Sequence, residues 1–114
     1  MPKRGDRVAP PPAPGEWDLR FGDSAVVESW EQLCSQAPGS ALTAWSALRT
    51  APRSRSARQH PLKGDFATRL VGGQVLEQWQ YEVTGAGRIW YAIDDERRVV
   101  YLTLASVGHP RQTQ

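Results

Sequence analysis

The second half of the chain holds the side chains best suited to phosphate chemistry. His60 precedes Pro61-Leu62-Lys63-Gly64, Arg88 opens the run Arg88-Ile89-Trp90-Tyr91, and His109 follows Gly108. Cleavage of an RNA phosphodiester needs a base for the attacking hydroxyl and an acid for the departing oxygen. It also needs cations for the charge that builds on the phosphate oxygens. Imidazole titrates near neutrality without special tuning and serves as either acid or base. A guanidinium stays charged and grips phosphate oxygens two at a time. Arg88 is therefore the candidate phosphate clamp and Lys63 the second cation. His109 is the first candidate for acid or base, with His60 or Glu82 as its counterpart. Each has a plainer reading: an Arg88–Glu82 surface pair, a chain-end His109, a His60 that only lines a loop.

These residues need elements to bring them together. Trp17, Leu19 and Phe21 alternate with Asp18 and Arg20, which predicts a half-buried strand. Asp23 or Ser24 caps a helix carrying Val27, Trp30, Cys34 and Ala37 at spacings of three and four, ended by Pro38-Gly39. Ser40 caps a second helix with Leu42, Trp45 and Leu48 on one face, stopped by Pro52. Arg53 to Gly64 reads as a polar, basic loop. Strands follow over 67–71, 74–84, 88–93 and 99–107, with Gly72-Gly73 as a two-residue hairpin turn. The expectation is an α+β fold, β-α-α-β-β-β, with an antiparallel sheet and a helical hairpin on one face.

Strand alternation then assigns faces. Trp79, Tyr81, Val83, Ile89, Tyr91, Ile93, Val100, Leu102 and Leu104 belong under the helices. Gln80, Glu82, Arg88, Trp90, Tyr101 and Thr103 belong on the uncovered face, with His109 just past its end. Trp90 or Tyr101 offers a ring for stacking a splayed base, and Gln80 an amide beside it. Arg58, Arg69 and Arg111 are candidates for RNA backbone contacts. Trp90 could equally anchor a partner protein.

Composition sets the limits. The 114 residues suffice for one domain with a modest core, and the formal charge is +2. From Gln32 to Gly64 there is no Asp or Glu, while Arg49, Arg53, Arg55, Arg58 and Lys63 fall there. That distribution attracts a polyanion or an acidic partner, unless it is merely a solvated basic loop. Residues 1–14 combine Lys3, Arg4 and Arg7 with five prolines, which predicts a disordered arm before a domain at 15–114. The single Cys34 permits no internal disulfide and suits a reducing cytoplasm; on an apolar helix face it is a packing residue rather than a nucleophile. No apolar run has membrane-span length, so no membrane partner is expected. Two histidines and one cysteine form no metal-ligand cluster, and no metal or other cofactor is expected.

The element order and three motifs resemble the RelE/ParE toxin superfamily, in particular its RelE-like mRNA interferase branch. The motifs are Pro61-Leu62-Lys63-Gly64 before the meander, Gly87-Arg88-Ile89-Trp90-Tyr91 on a central strand, and Gly108-His109 at its close. The resemblance implies the toxin of a type II toxin-antitoxin system, an endoribonuclease that cuts mRNA, usually on the ribosome. It implies metal-free attack of the 2'-hydroxyl on the scissile phosphate, and a cognate antitoxin as partner. Gln80 and Glu82 stand where some members carry lysines, and no tyrosine follows the last strand. A ParE-like, non-enzymatic inhibitor of DNA gyrase and an inactive interaction module on the same fold therefore stay open.

Overall fold

The computed structural model describes residues 2–8 and 10–108. Strand β1 (Asp18–Phe21) leads into helices α1 (Ser24–Gln36) and α2 (Pro38–Thr50). Strands β2 (Gln59–Pro61), β3 (Thr68–Val71), β4 (Gln74–Glu82), β5 (Arg88–Asp94) and β6 (Val99–Ser106) follow, with a 3-10 turn at Gly64–Phe66. The α+β class stands. The sheet, however, is mixed: its order is β1-β6-β5-β4-β2, with β3 also on β4, and β1 runs parallel to β6. The expected all-antiparallel sheet fails at this one pairing. The helical hairpin between β1 and the later strands returns the chain to the far edge, a crossover that admits a parallel neighbour.

Local chemistry explains the helices. Asp23 caps α1 by accepting from the Ala25 amide at 3.0 Å. Pro38 does not merely end α1; it opens α2, where its missing N–H leaves no bond unmade. The buried face of α2 is Ala41, Ala44 and Leu48 rather than Leu42, Trp45 and Leu48, and Leu42 is 61% exposed. Alanines let the helix approach closely, so the smaller stripe faces inward. Both helices cover one side of the sheet, α1 on β6 and β1 and α2 on β1. Leu19, Leu33, Tyr91, Ile89, Val100 and Leu102 lie almost wholly buried in the core.

The proline-rich leader is not the free arm its composition predicts. Gly5 donates to the Phe21 carbonyl at 2.7 Å, Phe21 to that of Asp6 at 2.9 Å, and Val8 to that of Leu19 at 2.7 Å. Val8 is 4% exposed. The leader thus seals the free edge of β1, whose unpaired backbone groups need partners that composition does not register. Further along, Arg49 donates to the Pro10 and Pro11 carbonyls at 3.3 and 2.8 Å and to Glu16 at 2.5 Å. Its guanidinium also lies 4.0 Å from the Trp45 ring.

The Gly72-Gly73 turn is as expected, both residues having positive φ in a two-residue hairpin. Between β5 and β6 the register slips: Tyr91 faces Leu102, but Trp90 faces Leu104. Thr103 is the extra residue of this bulge, and every later side chain of β6 changes face. Ala105 enters the core, and Leu104 joins Trp90 on the opposite side, a correction to its predicted place under the helices. No helix among the described residues is long and apolar enough to cross a membrane.

Candidate functional site on the helix-free face

Pairing across four strands brings the predicted residues into two successive rows. His60 lies opposite Gln80, Gln80 opposite Trp90, and Trp90 opposite Leu104. In the next row Glu82 faces Arg88, and Arg88 faces Ser106. Since Trp79, Tyr81 and Ile89 point into the core, both rows lie on the side away from the helices. Two residues along a strand separate the rows by about 7 Å, within the span of one nucleotide. β2 carries His60 into this arrangement; it forms inside the segment expected to be a loop.

Arg88 does not present a free charge. Its Nη1 donates to the carbonyls of Thr84 at 3.2 Å, Gly85 at 3.3 Å and Gly87 at 3.0 Å, while Nη2 lies 3.3 Å from Glu82. The guanidinium closes the β4–β5 turn from within, and the cross-strand carboxylate neutralises it. Beside it is a recess of about 380 Å³ lined by Gly85, Ala86, Arg88, Ser106 and Gly108. Gly108 has φ +110°, and a Cβ there would sit 2.5 Å from the Ala86 Cβ. Only glycine lets the backbone after β6 press so closely on this turn. His109 and Arg111 lie outside the described residues.

His60 is exposed, and its Nδ1 lies 3.2 Å from the Pro61 carbonyl. A carbonyl only accepts, so in this contact Nδ1 is the donor. Trp90 donates from Nε1 to Gln80 Oε1 at 2.8 Å, which fixes both side chains. Lys63 is exposed on the segment that joins β2 to β3.

That segment lies over the centre of the face that alternation leaves uncovered. Gln78 is 2% exposed; its Nε2 donates to the Phe66 carbonyl at 2.8 Å, and its Oε1 accepts from Thr103 at 2.6 Å. Phe66 packs on Trp90 with ring centroids 5.0 Å apart. Alternation places Thr103 on this side correctly, but it cannot foresee a roof over it. Phe66 and Gln78 also belong to the site's architecture, and sequence reasoning misses both. A phenylalanine between Asp65 and Ala67, outside any apolar period, was the one available signal.

Other predicted residues lie apart from the two rows. Arg69 pairs with Asp23, the cap of α1, at 2.9 Å. Tyr101 faces Ala92, four residues and about 13 Å along β5 from Arg88. It lines a recess with Arg4 and Phe21 instead. Arg58, by contrast, adjoins the second row: its carbonyl accepts from the Glu82 N–H at 2.7 Å, and its exposed guanidinium donates from Nη1 to the Glu82 carbonyl at 3.2 Å. The acid-free stretch is likewise less positive than its composition: Arg49 is buried against Glu16, and Arg53 pairs with Glu77 and with Asp95 at 2.6 Å. Trp79 Nε1–H and Arg53 hold the Glu77 carboxyl below its usual range. Burial pushes up both the Cys34 thiol and the Tyr91 phenol, whose hydroxyl donates to the Pro52 carbonyl at 2.7 Å. Among the described residues no three His, Cys, Asp or Glu side chains gather as a metal site.

Chemically, the two rows offer an exposed imidazole, a guanidinium paired with a carboxylate, a lysine on the adjoining segment and an aromatic pair. Comparison with known proteins adds nothing to this geometry: no family model, no curated protein and no solved structure matches the chain.

Proposed function

We propose that the chain is a toxin of the RelE/ParE type with a RelE-like fold, and that its helix-free face binds and cuts mRNA. The observation that carries this reading is the cross-strand register that sets His60 and Arg88 on successive rows of one exposed face. His60 Nε2 takes the proton of the ribose 2'-hydroxyl, whose oxygen attacks the adjacent phosphorus. The P–O5' bond breaks, and the departing oxygen takes a proton from the acid, for which His109 is the candidate. The products are a 2',3'-cyclic phosphate and a 5'-hydroxyl. Arg88 and Lys63 balance the charge on the phosphate oxygens. Trp90 stacks a base beside Gln80, and the exposed Arg58 borders the RNA. Each acid or base contributes about 10²–10⁴-fold. In this reading the toxin works in the cytoplasm on ribosome-bound message, needs no cofactor, and is silenced by an antitoxin that covers the same face.

A specific observation favours a second reading. Arg88 already has three carbonyl partners and Glu82, which suits a scaffold residue of a non-enzymatic binder, such as a ParE-like gyrase inhibitor or an inactive interaction module.

Translating ribosomes treated with wild type, His60→Ala, Arg88→Ala and His109→Ala separate the two. Messenger 5' ends are mapped, and each variant is checked for folding by its melting curve. Codon-phased cuts that disappear in the variants support the nuclease. Intact message overturns it, and gyrase-dependent DNA breaks in its place establish the second reading.

A further inference from the structure

Resting on the RNA reading above, we infer that Phe66 is a nucleobase-binding residue, and that the Phe66–Trp90 pair is the platform for one unstacked base of single-stranded RNA. Phe66 is 55% exposed and is the one exposed phenylalanine, tyrosine or tryptophan among the described residues. A single exposed apolar side chain is ordinary; what sets this one apart is how it is held and what surrounds it. It is held rigidly. The Phe66 carbonyl accepts from the buried Gln78 amide at 2.8 Å, and the Gln78 backbone bonds both Leu62, through its carbonyl at 2.9 Å, and Ala67, through its N–H at 2.8 Å. Gln78 is fixed in turn by Thr103. A buried polar relay therefore positions an exposed apolar ring, the arrangement expected of a preorganised contact rather than of a surface accident.

The surroundings favour a base over other occupants. Trp90 supports the Phe66 ring at 5.0 Å with planes tilted by 54°. Trp90 is locked by Gln80 Oε1, which leaves the Gln80 amide hydrogens to meet a base edge. Lys63 lies three residues before Phe66 and Asp65 one before it, so this short segment carries no net charge. Selection at this spot therefore comes from stacking, while charge acts from the His60 and Arg88 rows beside it.

Fluorescence anisotropy with two labelled ten-nucleotide strands, an oligoadenylate and an abasic ribose-phosphate strand, tests the assignment on the full chain. Because the ring is exposed, Phe66→Ala keeps the wild-type melting temperature within a few degrees. Stacking makes the expected loss of oligoadenylate affinity in Phe66→Ala about 10-fold. Phe66→Trp restores it, and the abasic strand binds wild type and Phe66→Ala alike. Equal oligoadenylate binding by wild type and Phe66→Ala overturns the assignment and leaves the RNA reading in place. Equal losses for both strands overturn it too, since the ring would then act on no base. Wild type that binds neither strand removes the RNA reading and this inference together.

Discussion

Glu82 decides whether Arg88 is a phosphate clamp or a structural brace, and Glu82→Gln separates the two roles. The carboxylate lies 3.3 Å from Nη2, and the two side chains are 34% and 30% exposed. A half-exposed pair of this kind contributes about 0.2–1 kcal/mol to stability. Arg88 also keeps its three turn carbonyls, so the melting temperature of Glu82→Gln falls by less than about 4 °C. RNA binding changes in the opposite direction. A phosphate taking the remaining N–H groups, on Nε and Nη2, with Nη1 still on the turn carbonyls, would lie about 7 Å from the Glu82 carboxylate. At an effective dielectric of about 40–80 that repulsion is about 0.6–1.2 kcal/mol, so its removal tightens binding about three- to eightfold. The gain shrinks as salt rises toward about 0.1 M, where the screening length is about 10 Å. Anisotropy titrations of a single-stranded RNA at two salt concentrations read this directly. Equal or weaker binding by Glu82→Gln at low salt refutes Arg88 as a phosphate ligand. Because His60 is assigned the proton, cleavage by Glu82→Gln at saturating RNA stays within about threefold of wild type; a loss on the scale of about 10²-fold would move the base to Glu82.

Two further predictions concern the frame. Arg49→Met removes two charge-assisted bonds to proline carbonyls, the ion pair with Glu16 and a cation–π contact. It should cost about 3 kcal/mol and lower the melting temperature by roughly 10 °C. Trypsin should then cleave at Arg4 and Arg7 faster than in wild type, and unchanged melting with unchanged cleavage would mean that the leader is not clamped. Glu77 is held below its ordinary value of 4.5, first by Trp79 and then by Arg53. A carboxylate lowered by folding stabilises fully above its unfolded value, and that part is lost as pH falls through its folded one. The decline in melting temperature below about pH 4.5 should therefore be shallower in Glu77→Gln, and parallel acid limbs for the two proteins would contradict this.

Much of this molecule is legible in one dimension. The alternation in Asp18–Phe21, the Asp23 cap and the Gly72-Gly73 turn are each set by a residue and its near neighbours, so they read directly from the chain. The same period of two places Gln80, Glu82, Arg88 and Trp90 on one face, and His60 joins them once β2 pairs with β4. Tertiary structure decided the rest, because those outcomes depend on partners distant in sequence. The bulge at Thr103 exists only relative to β5, and it turns Leu104 outward. Arg49 and Val8 are buried because the leader returns to the edge of β1, a contact that composition cannot contain. The Arg88–Glu82 pair is legible from the hairpin, but the turn carbonyls that hold Nη1 are not. Phe66 gains its setting only when Gln78 and Thr103, 12 and 37 positions away, close their bonds. Periodicity reports which way a side chain points; what it meets there depends on how the whole chain closes upon itself.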